Sequence, residues 1–246
     1  MITSKQNEKI KFIKSLSQKK HRDEHGLYVA EGVKMVREAF LLKKEVVSVV
    51  VTEKAYELLQ SDLNSAGAEI LVVSESVFSA VSGEVSPQGA LCVIKREEKG
   101  LKSPNSACIF LDGVSDPANV GAIIRTAVAC GIYDVYMALP CADAFSPKAV
   151  RASMSGIYSV NVYEGKAEEL IKVIDCPVYV ADMNGKNAFS FSPSEKFCLV
   201  LGNEGHGVSD FMKSKATETL SIPMKNGIES LNAGVSAGIL MYLLKN

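Results

Sequence analysis

With 246 residues, 47% hydrophobic content and a formal charge of -1, the chain is long enough for one large domain or two modest ones, each with an ordinary buried core. The charge balance excludes any argument for a nucleic-acid partner from net charge, so such a partner needs a local basic patch. Six scattered cysteines without a Cys-x-x-Cys pair read as reduced core residues, the start MITSKQNEKIKF lacks the apolar core of a signal peptide, and the longest apolar run falls short of the roughly 20 residues of a membrane span; the expectation is a cytoplasmic protein with neither membrane nor metal as partner.

The basic patch comes first in the chain. From Lys5 to Arg22 seven Lys or Arg stand against the single acid Glu8, and Ile10, Ile13 and Leu16 are spaced as an apolar stripe. This predicts an amphipathic helix over Ser4 to Lys19 with a basic outer face, either solvated or in contact with RNA through Lys11, Lys14, Lys19, Lys20 and Arg22. His21 and His25 have the i, i+4 spacing of a helical metal pair, but no third ligand is evident. Further on, Glu31 to Lys43 reads as helix, Val46 to Thr52 as strand, Lys54 to Ala66 as helix, Ile70 to Val73 as strand, Ser76 to Val81 as a short helix and Ala90 to Ile94 as strand. Residues 1–96 thus form a small α/β domain, and the charged stretch KREEKGLKSPN, broken by Gly100 and Pro104, supplies a linker over 97–105.

Residues 106–246 begin with an apolar strand, Ala107 to Leu111, and a helix over Pro117 to Cys130. Asp116 suits its N-cap, Pro117 its first position and Gly131 a left-handed stop. Asn119 and Arg125 are the large polar side chains of that otherwise apolar helix; they are either plainly solvated or, if buried, in need of partners. Strand Asp134 to Ala138, a helix around Pro147 to Met154, a strand near Ser159 to Val162, helix Ala167 to Ile174, and strands Val178 to Ala181 and Phe197 to Leu201 follow. Continuous apolar strands alternating with helices imply a parallel sheet. The last of these strands runs into GNEGHGVSD, where Gly202, Gly205 and Gly207 let a ligand approach the backbone at a strand's carboxyl end. The order G-x-x-G-x-G, with no G-K-[ST], matches neither a dinucleotide fingerprint nor a phosphate loop.

In IPMKNGIESLN, Ile222–Pro223 ends a short strand, Gly227 frees a loop, and Ser230 is placed to cap the helix that runs to Leu244. That helix carries Gly234 and Gly238 in its interior, each costing about 1 kcal/mol against alanine, so a packed helix, a ligand or a second subunit must approach its backbone closely.

Together DPANVGAIIRTA, LVLGNEGHGVSD and IPMKNGIESLNAGVSAG resemble, in order and spacing, the three motifs of the SpoU/TrmH branch of the SPOUT RNA methyltransferases. TSKQNEKIKFIKSL, YVAEGVKMVREA and SPQGAL are similar to the substrate-binding domain that accompanies this catalytic domain in several ribosomal RNA enzymes. One departure is RASMSGI, with Ser155 and Gly156, where members have Ser-x-Gly-Ala after Arg-Ala. The resemblance implies a parallel-sheet α/β SPOUT domain with a C-terminal deep trefoil knot, preceded by a smaller α/β substrate-binding domain, and a homodimer formed through the knotted domain. It implies S-adenosylmethionine bound by Leu201, Gly202, Asn203, Gly205, Ile222, Met224, Leu231 and Asn232, and methyl transfer to a ribose 2′-hydroxyl of RNA, most simply ribosomal RNA. Transfer RNA as substrate, or an RNA-binding protein without turnover, are the alternatives. Arg125, Asn119, Glu204, Ser230 and Asn232 fall on the family's catalytic positions. Guanidinium does not release its proton at neutral pH, so Arg125 is expected to act as a cation on phosphate and developing alkoxide. Asn119 and Asn232 position substrate and loop, Ser230 meets ribose or phosphate, and Glu204 holds the loop, orients Arg125 or serves as general base.

Overall fold

The computed structural model describes residues 1–64, 67–225 and 230–245, and divides into two compact units, Met1–Glu97 with Phe145–Tyr158, and Glu98–Ala144 with Ser159–Asn246. The leading segment of the first unit ends at Glu97, and Phe145–Tyr158 packs with that unit rather than with its sequence neighbours.

The first unit opens with α1 (Glu8–Ser15) and α2 (Lys19–His25), then β1 (Leu27–Glu31), α3 (Val33–Leu41), β2 (Val46–Val51), α4 (Glu53–Leu63), β3 (Glu69–Val72), α5 (Glu75–Val81) and β4 (Ala90–Lys95). Its sheet has the order β1-β4-β2-β3; β2 and β3 are parallel, and β4 is antiparallel to both of its neighbours. The basic helix expected over Ser4 to Lys19 is two helices. Asn7 caps the first through its side chain, and the chain turns at Leu16–Gln18 before restarting. Ile10, Ile13 and Leu16 are buried against Val50, Leu71, Phe78 and Leu91, as the stripe predicts; each aliphatic side chain so buried contributes about 1.5–3 kcal/mol, which fixes the basic face outward.

The second unit holds β5 (Cys108–Asp112), α6 (Pro117–Ala129) and β6 (Asp134–Ala138). After them α7 (Pro147–Ser153) and the 3-10 turn Met154–Tyr158 belong to the first unit. The second unit resumes with β7 (Asn161–Gly165), α8 (Ala167–Leu170), β8 (Val178–Asn187), β9 (Cys198–Gly202), α9 (Asp210–Lys213), β10 (Glu218–Ser221) and α10 (Ala233–Lys245). Its six strands lie in the order β10-β8-β9-β5-β6-β7, and every neighbouring pair is parallel. The core packs Phe110, Val180, Cys198, Val200 and Met212 around the stacked Tyr136–Tyr163 pair, whose ring centroids are 4.9 Å apart. Two elements depart from expectation. Helix Ala167 to Ile174 tightens to 3-10 geometry at Ile171–Val173, and β8 extends six residues past Ala181, to Asn187, where its register against β10 shifts at Thr219/Leu220. Gly185 lies in that extension with no room for a side chain: an added Cβ would sit 2.6 Å from the Leu220 backbone.

All six cysteines are free thiols, with Cys92, Cys108 and Cys198 buried. Among the described residues no helix is long and apolar enough to cross a membrane.

Candidate active site

Asp112 and Gly202 are register partners at the carboxyl ends of β5 and β9, so the loops that leave these strands start side by side. The first leads into α6. As expected, the Asp116 side chain caps that helix, accepting from Ala118 N at 2.9 Å, with Pro117 next and Gly131 at φ 72° beyond its end. The second loop folds on itself. Asn203 and Gly207 exchange backbone hydrogen bonds of 3.0 and 2.9 Å, and the Asn203 Oδ1 accepts from the amides of Gly205 and His206. Asn203 Nδ2 donates to Gly113 O at 2.9 Å, and Ser209 N donates to Asp112 Oδ2 at 2.7 Å, which ties the two loops together.

Gly202 meets an internal demand beside the ligand approach expected of it. A Cβ there would lie 2.2 Å from the backbone of Gly207 and Val208, so its absence serves the chain's own crossing. Gly207 adopts φ 70°, and Gly205 has ordinary space around it.

Glu204 joins the loops at the start of α6. Its carboxylate accepts from Ser115 N (3.0 Å), Ser115 Oγ (2.7 Å), Asp116 N (3.1 Å) and Asn119 Nδ2 (2.8 Å). Negative charge at a helix N-terminus is favourable, and four donors fill the carboxylate's acceptor sites. Desolvation alone pushes the group up, but the hydrogen bonds from Asn119 and Ser115 outweigh it and hold the carboxyl down at about 2. Such a group stays ionised at neutral pH, and its partners are Ser115, Asp116 and Asn119 rather than Arg125, which are the contacts of the loop-holding role.

The chain of contacts continues. Asn119, buried at 7% exposure, accepts through Oδ1 from Asn232 Nδ2 at 2.9 Å, and Asn232 Oδ1 accepts from Val235 N at 3.2 Å. Asn232, rather than Ser230, therefore caps α10. Residues from all three motifs are thus linked in the sequence Ser115–Glu204–Asn119–Asn232–α10, a network in which each member fixes the next. α10 then crosses α6 with Gly234 against it; a Cβ at Gly234 would be 3.3 Å from Ala122 Cβ and 3.2 Å from Asn232 Oδ1, whereas at Gly238 the nearest atom is Thr126 Cγ2 at 3.8 Å. A packed helix of the same chain answers the question raised by these glycines.

Arg125 does not share this network. It is exposed on α6 and, among the described residues, has no ion-pair partner, the solvated one of the two alternatives left open for it. Ser230 is exposed, Leu201 is buried, and Ile222, Met224 and Leu231 are half-buried. β10 ends at Ser221, just ahead of the Ile222–Pro223 pair, as the extended residue before proline requires. The loop residue Gly227, with the rest of 226–229, lies outside the described residues. Half-buried apolar side chains beside an extended backbone that proline keeps out of a strand fit the adenosyl and methionyl parts of S-adenosylmethionine.

In the first unit, Lys11, Lys14, Lys19 and Lys20 are exposed, Lys11 3.2 Å from Glu8 and Lys19 3.6 Å from Asp23. Arg22 is not part of that face. It is 2% exposed and donates through Nη1 to Leu16 O (2.8 Å) and Ser17 O (2.7 Å), satisfying carbonyls left open where α1 ends. Glu24 supplies the third group that the His21 and His25 spacing lacked: the ligating atoms of the three lie within 4.8 Å of one another, on a surface helix.

Sequence reasoning overlooked Ser115, whose hydroxyl and amide both meet Glu204, and Ser209, which binds Asp112 and caps α9. Serine directly before an Asp-Pro or Asp-Phe helix start is the signal that was available.

Because Glu204 is depressed in the folded chain, its hydrogen bonds stabilise fully above the ordinary carboxyl value of 4.5 and lose their effect as pH falls toward about 2. The stability difference between wild type and Glu204→Gln in denaturant melts is therefore expected to be constant above about pH 4.5 and to shrink below it. A difference that changes between pH 6 and 8 would point to another group.

Residues 106–242 match the model of the SpoU rRNA Methylase family, and residues 7–92 match the MRM3-like substrate binding domain. The chain is 33% identical over 248 residues to the 23S rRNA (guanosine(2553)-2′-O)-methyltransferase RlmP of Bacillus subtilis, covering 99% of this chain and 98% of that protein. Among solved structures, the AdoMet-bound rRNA methyltransferase from Sinorhizobium meliloti superposes with a TM-score of 0.88 at 27% identity, covering 98% of this chain and 95% of that one. A structure described as an RNA 2′-O ribose methyltransferase superposes with a TM-score of 0.84 at 26% identity, covering 98% and 96%.

Proposed function

The chain belongs to the SpoU rRNA methylase family, and from that premise we propose that it transfers a methyl group from S-adenosylmethionine to a ribose 2′-hydroxyl of ribosomal RNA. The observation that carries the reading is the hydrogen-bonded line Glu204–Asn119–Asn232, which joins residues of all three motifs around the carboxyl ends of β5 and β9. S-adenosylmethionine supplies an electrophilic methyl group on a sulfonium. The half-buried Ile222, Met224 and Leu231 would hold it, and the Ile222 carbonyl, in the residue that Pro223 keeps extended, would be open to an amino donor such as that of adenine. Arg125, an exposed cation, draws in the phosphate beside the reacting ribose and stabilises negative charge on its oxygen as the proton passes to water and the methyl group leaves the sulfonium for that oxygen. Glu204, ionised and filled with donors, keeps Asn119 in place and takes no proton. Ser230, exposed just ahead of the Asn232 cap, is positioned for ribose or phosphate.

The first unit brings the RNA. Its exposed Lys11, Lys14, Lys19 and Lys20 give a basic edge to a chain of nearly neutral net charge. Charge reversal at Lys11, Lys14 and Lys19 is expected to weaken binding of ribosomal RNA and to flatten its dependence on salt by about one unit of logarithmic slope for each phosphate no longer neutralised. A filter-binding titration across salt concentrations reads this directly, and an unaltered slope would return the helices to plain surface. A homodimer through the second unit and a C-terminal knot complete the proposal; exposed Val235 and Tyr242 on α10 supply an apolar face for the dimer.

A further inference from the structure

Within the first unit α1, β1, α3, α5 and α7 enclose a cavity of about 150 Å³. Its walls are apolar, with Val29, Met35, Val81 and Val150 among them, while Lys14, Glu31, Ser82 and Arg151 contribute polar groups. A cavity of this volume, open on one side, takes the six-membered ring of a base and leaves the rest of a purine and its ribose toward the opening. Glu31, at the end of β1, is fixed from the protein side: the Ser82 hydroxyl donates to one carboxylate oxygen and Gly83 N donates to the other at 2.9 Å. Each oxygen keeps a second acceptor site. Lys14 is exposed and has no ion pair among the described residues, and Arg151 Nε pairs with Glu84, leaving the rest of its guanidinium for another anion.

A rigid carboxylate in an apolar slot is complementary to two adjacent N–H donors on a flat group, and in RNA such a pair is carried by a base. Of the four RNA bases guanine alone presents that pair, N1–H and N2–H, on its Watson–Crick edge. The edge is open only when the base is unpaired, which is the form in which proteins read RNA sequence. Two cations at the same cavity complement the phosphates that accompany such a base. We propose that this cavity binds one unpaired guanine of the RNA, with Glu31 reading N1–H and N2–H and with Lys14 and Arg151 meeting its backbone. The proposal rests on the RNA reading above and deepens it, giving the substrate-binding unit a base-specific contact away from the methyl-transfer residues.

The test uses the full chain and a fluorescein-labelled oligouridine with one central guanosine, inosine or adenosine, read by anisotropy. Inosine lacks only the N2 amino group, so replacing guanosine with inosine is expected to weaken binding about tenfold, the scale on which a bidentate base pairing discriminates. In Glu31→Gln the guanosine and inosine oligonucleotides should bind alike, because the amide turns a donor toward one of the base's donors. Lys14→Ala should weaken all three by the same factor. Equal binding of the guanosine and inosine oligonucleotides by wild type, or wild-type discrimination kept by Glu31→Gln, would overturn the pocket. Since the inosine change is made in the RNA, its result does not depend on how a variant folds. A chain that binds neither these oligonucleotides nor transcribed ribosomal RNA would overturn the RNA reading itself.

Discussion

Arg125→Ala is expected to keep its affinity for S-adenosylmethionine while methyl transfer falls by roughly a hundredfold to a thousandfold, the usual cost of removing one preorganised group that stabilises developing charge. Arg125 is exposed on α6 and has no internal ion pair among the described residues, so truncating it leaves no buried charge and disturbs no packing. Its effect should therefore appear in turnover and in RNA affinity rather than in melting temperature. Arg125→Lys separates the two parts of the role: it keeps the positive charge but loses the planar fork that meets phosphate with two donors, and should recover only part of the rate. Calorimetry with S-adenosylmethionine alongside a tritiated-methyl transfer assay checks both. Unchanged turnover in Arg125→Ala would remove this residue from the mechanism.

Gly202→Ala should do the opposite, damaging the fold of the second unit and its cofactor site together. The new Cβ would stand 2.2 Å from Gly207 C and Val208 N and 2.4 Å from Gly207 O, all of them backbone atoms that no rotamer change can move aside. Overpacking of this kind costs about 3 kcal/mol or more, a fall of ~6–12 °C in the unfolding temperature of a domain this size. The loop it displaces carries Glu204, so the hydrogen bonds to Ser115, Asp116 and Asn119 should go with it, and binding of S-adenosylmethionine should be lost even at low temperature. Gly234→Ala is the contrast. Its nearest neighbours would be Asn232 Oδ1 at 3.2 Å and Ala122 Cβ at 3.3 Å, which need move only a few tenths of an ångström, and helix propensity offsets about 1 kcal/mol of that cost, so the loss should be far smaller than at Gly202. Melting curves of the two variants side by side should differ plainly; equal stability of Gly202→Ala and wild type would mean that the loop crossing is looser than its geometry implies.

What was legible in the sequence was what depends on local chemistry. Asp116, Pro117 and Gly131 each carry a cap or stop signal, so α6 was found to within one residue, and Ile222–Pro223 ended β10 where proline must. The parallel sheet followed from apolar runs such as Cys108–Asp112 and Cys198–Gly202. The losses lie where partners are distant in the chain. β1 went unseen because Leu27–Glu31 is a strand only by pairing antiparallel with β4, from Leu27↔Lys95 to Glu31↔Leu91. Arg22 is a nearer case: it counted as surface charge because the turn at Leu16–Gln18, which brings the Leu16 and Ser17 carbonyls to it, was read as continuous helix. The roles left open for Glu204 were decided by Ser115, Asp116 and Asn119, and those for Asn232 by Asn119, contacts across 85 or more positions of sequence. The need for a close neighbour at Gly234 was readable; that the neighbour is Ala122 of the same chain was not.

In the proposed reaction the line from Glu204 through Asn119 to Asn232 is structural, and the catalytic weight falls on alignment and on the charge of Arg125. The product of such a reaction has a chemical signature, because a methylated 2′-oxygen cannot attack the adjacent phosphate and the linkage resists alkaline cleavage. The most direct test is mass spectrometry of ribosomal RNA from cells with and without the gene, after alkaline digestion. One alkali-resistant dinucleotide carrying a ribose methyl group is expected to be present with the gene and missing without it. Identical ribosomal RNA digests from the two strains, or a lost methyl group located on a base, would contradict it.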